Sequence, residues 1–202
     1  MYFFWGGRKG KKAKEMKFVI ADEERLGIIT DTELRDIIHS TEKDVIFLCI
    51  GSDRYIVDSL GPLVGTMLQE NKSFSYHVYG TLDCPVHALN LEKNSKEINQ
   101  QFPNSLLIAV DACIGEKKDV GKVIIEKGPL FPGKAMNKQL VEVGDYHIKA
   151  VVSHIDKRDP NHFFESLRLH TVMTMVQKVS SLIISCTTQQ KEKINPDKEH
   201  SS

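Results

Sequence analysis

The sequence predicts an α/β fold, a mostly parallel sheet with helices on its faces and a mixed edge. Three observations point to it. Val45 to Ile50 and Leu106 to Val110 are short, continuous apolar runs, the pattern of strands buried on both faces. Segments with helical spacing of apolar residues lie between them, so the first part of the chain reads strand, helix, strand, helix, strand. Right-handed crossovers turn that order into a parallel sheet. Finally, Asp58 and Asp111 each come after an apolar run. In open α/β sheets, ligands bind outside the carboxyl ends of strands.

The elements are expected as follows. Residues 1–17 form an arm, apolar at first (Met1 to Gly7) and then basic (Arg8, Lys9, Lys11, Lys12, Lys14 and Lys17). That order is the reverse of a secretory signal. A solvated arm is expected, with a membrane-surface anchor as the alternative. Thr30 or Asp31 caps a helix running through His39, with Leu34, Ile37 and Ile38 as its apolar face. A helix from Asp58 to about Glu70 has Asp58 or Ser59 as cap, Pro62 in its first turn, and Gly61 and Gly65 for close packing on the sheet. Ser75 to Tyr79 is the second strand. Val86 to Gln101 is an amphipathic helix using Leu89, Leu91 and Ile98. Lys122 to Glu126 and His147 to Ile155 are further strands, separated by a Pro/Gly-rich loop. Asp159 and Pro160 open a final helix, with Leu169, Val172, Met173, Val176, Val179 and Ile183 as its core stripe. Residues 18–186 then make one domain, and 187–202 form a polar tail expected to be disordered.

Composition narrows the function. The 202 residues suffice for one domain with a sizeable core, and 27 basic side chains balance 27 acidic ones. That balance gives no ground for a nucleic-acid partner. No apolar run reaches the length of a membrane span. The four cysteines are widely spread, form no CxxC pair, and point to a reducing cytoplasm, with Cys49 as core filler. Neither a P-loop nor a GxGxxG fingerprint is present, so no nucleotide cofactor is expected.

The chemistry centres on Asp58 and Asp111. Two carboxylates facing one crevice cannot both ionise cheaply, so one can act as a base on water while the other holds a proton. Asp58, near a helix amino terminus, is expected to stay ionised. Asp111, after a buried strand, is the candidate for a raised pKa. The plain alternatives are a helix cap for Asp58 and a turn residue for Asp111. Gly51, Ser52, Asp53 and Arg54 follow the first strand, and Thr81 and Asp83 lie in the loop after the second. These six are candidate binding residues. A nest of amides from Gly51 to Asp53 is a candidate oxyanion holder. Arg54 either holds a substrate carboxylate or pairs with Asp53. Asp83 is a third rim acid or a loop stabiliser. His87, His147 and His154 are candidate third ligands for a metal, though none has diagnostic spacing, and no metal is assigned. Cys84 with His87, and Cys113 near Asp111, leave a thiol-based site open.

These residues also carry a resemblance. Cys49-Ile50-Gly51-Ser52-Asp53-Arg54, Asp58-Ser59-Leu60-Gly61-Pro62, Val78 to Asp83, Pro85-Val86-His87-Ala88 and Ala109-Val110-Asp111-Ala112-Cys113 resemble the YyaC family of sporulation proteins. Lys118 to Gly121, Gly128 to Leu130 and Val143 to Asp145 extend the match, which covers roughly residues 45 to 185. That family is similar in turn to the spore germination protease, whose two proposed catalytic aspartates match Asp58 and Asp111. A more distant similarity is to hydrogenase-maturation endopeptidases, whose acids at these positions contact nickel together with a histidine that no residue here clearly matches. The resemblance implies a three-layer α/β/α sandwich of the phosphorylase/hydrolase type. It also implies a sporulation-associated endopeptidase without a cofactor, in the cytoplasm of the sporulating cell or forespore. Its partner would be a peptide or protein substrate such as small acid-soluble spore proteins, and a homo-oligomer is compatible with it. The alternatives are a non-catalytic binding module of the same fold and a metal-dependent processing peptidase.

Overall fold

The computed structural model describes residues 27–132, 141–154 and 167–188. The expected basic arm, the Asp159-Pro160 cap and nearly all of the polar tail lie outside them. Five strands form one sheet: β1 (Val45–Cys49), β2 (His77–Tyr79), β3 (Leu106–Gly115), β4 (Val123–Lys127) and β5 (Tyr146–His154), in the spatial order β2-β1-β3-β5-β4. The β1–β2, β1–β3 and β3–β5 pairs are parallel, whereas β4 runs antiparallel to β5. This is the mostly parallel α/β sheet with a mixed edge that the apolar runs predict. Residues 27–29 lie along β4, with Ile29 N donating to Ile125 O and Lys127 N to Gly27 O.

Two apolar clusters, one per sheet face, define the three layers. Alternate β1 residues (Val45, Phe47, Cys49) pack with α1 (Asp31–Ser40), α2 (Leu60–Glu70) and α4 (Leu169–Thr187). The intervening Ile46 and Leu48, with Ile50, pack with α3 (Leu91–Gln101) and with Leu130 and Val143. The period-2 alternation of a strand thus feeds both clusters, so its sequence reads as uniformly apolar.

Local chemistry sets the helix bounds. Thr30 opens α1 through a capping box: its Oγ1 accepts from Glu33 N at 3.1 Å, and Glu33 Oε2 accepts from Thr30 N at 2.7 Å. Leu34 and Ile38 are its buried face. A 3₁₀ turn, Ile56–Asp58, precedes α2, and Ser59 takes the N-cap position as expected, but without a side-chain capping bond; its Oγ instead donates to Ile56 O at 2.7 Å. Gly61 lets α2 rest on the end of β1, because a Cβ there would lie 2.0 Å from Ile50 O. Gly65 similarly abuts Gly80 O. The helix expected from Val86 starts only at Leu91: Val86 forms a parallel bridge with Ile50, and Leu89 is 71% exposed rather than part of an apolar face. In α4 the stripe includes Val172, Val176, Val179 and Ile183 as expected, with Met175 and Cys186 added and Leu169 exposed. Cys49 is fully buried core filler, and that burial pushes its thiol up to about 12.

The largest departure concerns β3. It does not stop at Val110 but runs on to Gly115, paired with β5 throughout, with a shift of register after Cys113. Asp111 is therefore inside a strand, not in the turn after it.

Gly61→Ala should lower stability by about 1–3 kcal/mol, the typical cost of overpacking against fixed backbone. Urea denaturation measures this, and a midpoint equal to wild type would contradict the contact.

Candidate active site

The site forms where β1 ends and β3 continues. Cys49 pairs with Val110, and Ile50 N donates to Val110 O at 2.7 Å. Beyond that point β1 leaves the sheet and the 51–58 loop occupies its place. Gly51 makes the exit with φ +146°, and a Cβ there would lie 2.1 Å from Asp58 O. A side chain is excluded on both counts. Ser52 N donates to Asp58 O at 2.9 Å, closing the loop and holding Asp58 back against the end of β1.

Asp58 is 2% exposed and Asp111 is 6% exposed. Asp111 is pushed from the ordinary 3.8 up to about 6, chiefly by burial and further by the negative charge of Asp58. The N–H of Ala112, which donates to Asp111 Oδ1 at 2.8 Å, and the ammonium of Lys149 oppose that rise. Asp58 is also raised, mainly by burial, against the favourable charge of His87 and the Ser52 N–H. The direction is opposite to the one a helix amino terminus would give: Asp58 sits in a 3₁₀ turn before α2, and desolvation outweighs the local amides.

His87 is the residue whose place sequence reasoning missed. The Ile50–Val86 bridge, with Gly51 N donating to Val86 O at 2.8 Å, draws His87 alongside the 51–58 loop. Its Nδ1 accepts from Leu89 N at 3.3 Å, and the His87 backbone N–H donates to Asn90 Oδ1 at 2.7 Å. In the neutral ring the proton therefore sits on Nε2.

The other candidates fall in two groups. Gly51 and Ser52 are buried at the base of the site, but both amides already donate within the fold. Closing the loop and bridging Val86 thus use two of the amides expected in the oxyanion nest from Gly51 to Asp53. Asp53 and Arg54 are exposed on the loop, and no ion pair joins them among the described residues; Arg54 N donates to Ser52 Oγ at 3.3 Å. Thr81 is buried and fastens its own loop, its Oγ1 accepting from Cys84 N at 3.2 Å, while Asp83 is exposed. Among the described residues, no group of three or more His, Cys, Asp or Glu side chains is placed to hold a metal ion. His154 ends β5 and is half-buried.

A second polar set continues from Asp111 across the sheet. Lys149 is its direct cross-strand partner on β5. The Lys149 ammonium pairs with Glu126 of β4, and Glu126 Oε2 lies 2.8 Å from His147 Nε2. His147 Nδ1 lies 2.8 Å from Gly128 O and must donate to it.

Comparison with known proteins now places the chain. Residues 18–182 match the family described as "Protein of unknown function (DUF1256)". The chain belongs to that family. A relative, "Uncharacterized protein YyaC" from Bacillus subtilis (strain 168), is 40% identical over 156 residues, covering 76% of each chain. The resemblance to YyaC expected from the sequence is thereby borne out. Among solved structures, the DUF1256 chain is similar to the [NiFe] hydrogenase maturation protease HycI from Thermococcus kodakarensis KOD1, with a TM-score of 0.49 and 18% identity, over 76% of this chain and 97% of that one. A likeness at that level carries no statement about activity. No helix among the described residues is long and apolar enough to cross a membrane.

The raised Asp111 has a consequence for stability. Between pH 4 and 6 the folded protein binds more protons than the unfolded chain, so stability falls as pH rises through that window. Wild type should lose on the order of 2–3 kcal/mol more than Asp111→Asn between pH 4 and 7. Urea denaturation at each pH checks this, and identical slopes for the two proteins would refute it.

Proposed function

We propose that this DUF1256 protein hydrolyses peptide bonds with the Asp58–Asp111 pair, as a sporulation-associated endopeptidase-like protein of the cytoplasm. One observation carries the reading: two buried carboxylates, from the loop after β1 and from the interior of β3, lie close enough for the charge of one to raise the pKa of the other. Two acids in that relation hold one proton between them below about pH 6, the condition for combined base and acid catalysis. Asp58, with His87 to its side, is the base that takes a proton from water. Asp111 holds the proton that passes to the leaving amide nitrogen as the carbon–nitrogen bond breaks. Arg54 and Asp83, exposed on the loops nearest the end of β1, and the buried Thr81 are positions for substrate contacts. The association with sporulation, and small acid-soluble spore proteins as substrates, rest on the motif resemblance, supported by the relative in a Bacillus. A homo-oligomer is compatible with the reading and not required by it.

A second reading has one observation in its favour. The carboxylates are almost wholly covered, and the Gly51 and Ser52 amides are engaged. A fold with its acids closed off suits a peptide-binding module that cleaves nothing.

Incubation with spore-extract proteins, read by mass spectrometry for new termini, separates the two. Asp58→Asn and Asp111→Asn should each cut cleavage by about 10²-fold or more while the fold is kept. Capture of a partner that depends on Asp58, with no new termini from wild type, would establish the binding module instead.

A further inference from the structure

The four ionisable groups Asp111, Lys149, Glu126 and His147 occupy neighbouring places on the α3 side of the sheet. Register puts them there: Asp111 faces Lys149 across β3 and β5, and Glu126 faces His147 across β4 and β5. Glu126 and His147 are 6% and 7% exposed, so neither can rely on water. Burying charges in this way is rarely a gain in stability over well-packed apolar residues. Its effect is instead to fix one side chain in place. Lys149 has a long, flexible stem, and the Glu126 carboxylate, itself anchored by His147 and through it to Gly128 O, takes that freedom away.

We infer that Lys149 is a positioning residue for Asp111: clamped by the Glu126–His147 pair, it keeps a fixed positive charge beside that carboxylate. Among the described residues, the charged and titratable groups around Asp111 are then Lys149 from β5 and Asp58 from the 3₁₀ turn, with His87 behind Asp58 and Glu126 and His147 behind Lys149. The two sides act in opposite senses. Asp58 favours the protonated form of Asp111 and Lys149 favours the ionised form, and both directions agree with the influences on that carboxylate. Glu126 moderates Lys149 by sharing its charge. The inference uses the proposed function only in treating Asp111 as one of a working pair; the clamp itself needs no substrate.

The test is a titration of the aspartate carboxyl carbons by ¹³C NMR on the full chain, with Asp111→Asn assigning the resonance. Lys149→Met should move the Asp111 midpoint up by about one unit, a tenfold change in its proton affinity. Lys149→Arg should leave it near wild type. Glu126→Gln keeps an oxygen that can hold the ammonium in place but removes the charge it shares, so it should move the midpoint the other way, down. Support cannot be lost to a general loosening of the fold, which would not shift the two variants in opposite directions. A folded Lys149→Met protein with an unmoved midpoint overturns the inference. If that variant does not fold, Glu126→Gln decides alone, and an unmoved or raised midpoint there overturns it. Should neither Asp58→Asn nor Asp111→Asn affect cleavage while these shifts appear, the peptidase reading falls and the clamp stands.

Discussion

Strand length decides where this molecule puts its polar chemistry. β1 stops at Cys49 while β3 runs on to Gly115, so over its second half β3 keeps a strand partner on one side only. The vacated flank must be filled, and the 51–58 loop fills it by folding back on itself at Gly51. Asp58 is carried in on that loop, and Asp111 is the residue of β3 just past the last β1 pairing. If β1 were a residue or two longer, Asp111 would face another strand's side chain and no acid could approach it. The meeting of the two carboxylates thus follows from unequal strands more than from any local feature of either aspartate.

Water exclusion then governs the behaviour of the acids. Both are held mainly by what surrounds them, not by exposed charge pairs, so burial is the first influence on each. The protein answers the cost with partners of opposite sign placed on separate elements, His87 beyond β2 and Lys149 on β5. Each partner is restrained in its turn, His87 by Asn90 and Leu89, Lys149 by Glu126. From Asp111 outward the signs alternate across the sheet, through Lys149 to Glu126.

Much of the fold was legible because its signals are local. The apolar runs gave β1 and the start of β3, and Thr30 or Asp31 as cap announced α1. Gly61 and Gly65 marked the contact of α2 with the sheet. What escaped reading depended on pairing across the chain. An aspartate after five apolar residues looks like a strand's end, and only Lys149 opposite it explains why β3 continues. Val86 to Gln101 has a helical period, yet the bridge to Ile50 holds Val86 extended and brings His87 to the site. Glu126, His147 and Lys149 interrupt apolar strands with polar residues two apart, a visible oddity whose meaning appears only in the antiparallel register of β4 and β5. The two aspartates themselves were visible from both strand position and motif, but their shared desolvation was not.

The borders of the sheet have a separate consequence. On one side β2 offers only His77–Tyr79, too short a ladder to template another chain. On the other, residues 27–29 lie over β4 and occupy main-chain groups that would otherwise be free to recruit a neighbour. A parallel sheet of this kind exposes its borders while it forms, and here the segment entering α1 is what seals the longer one. The stretch just before the first helix therefore shields that border from edge-to-edge pairing with another strand.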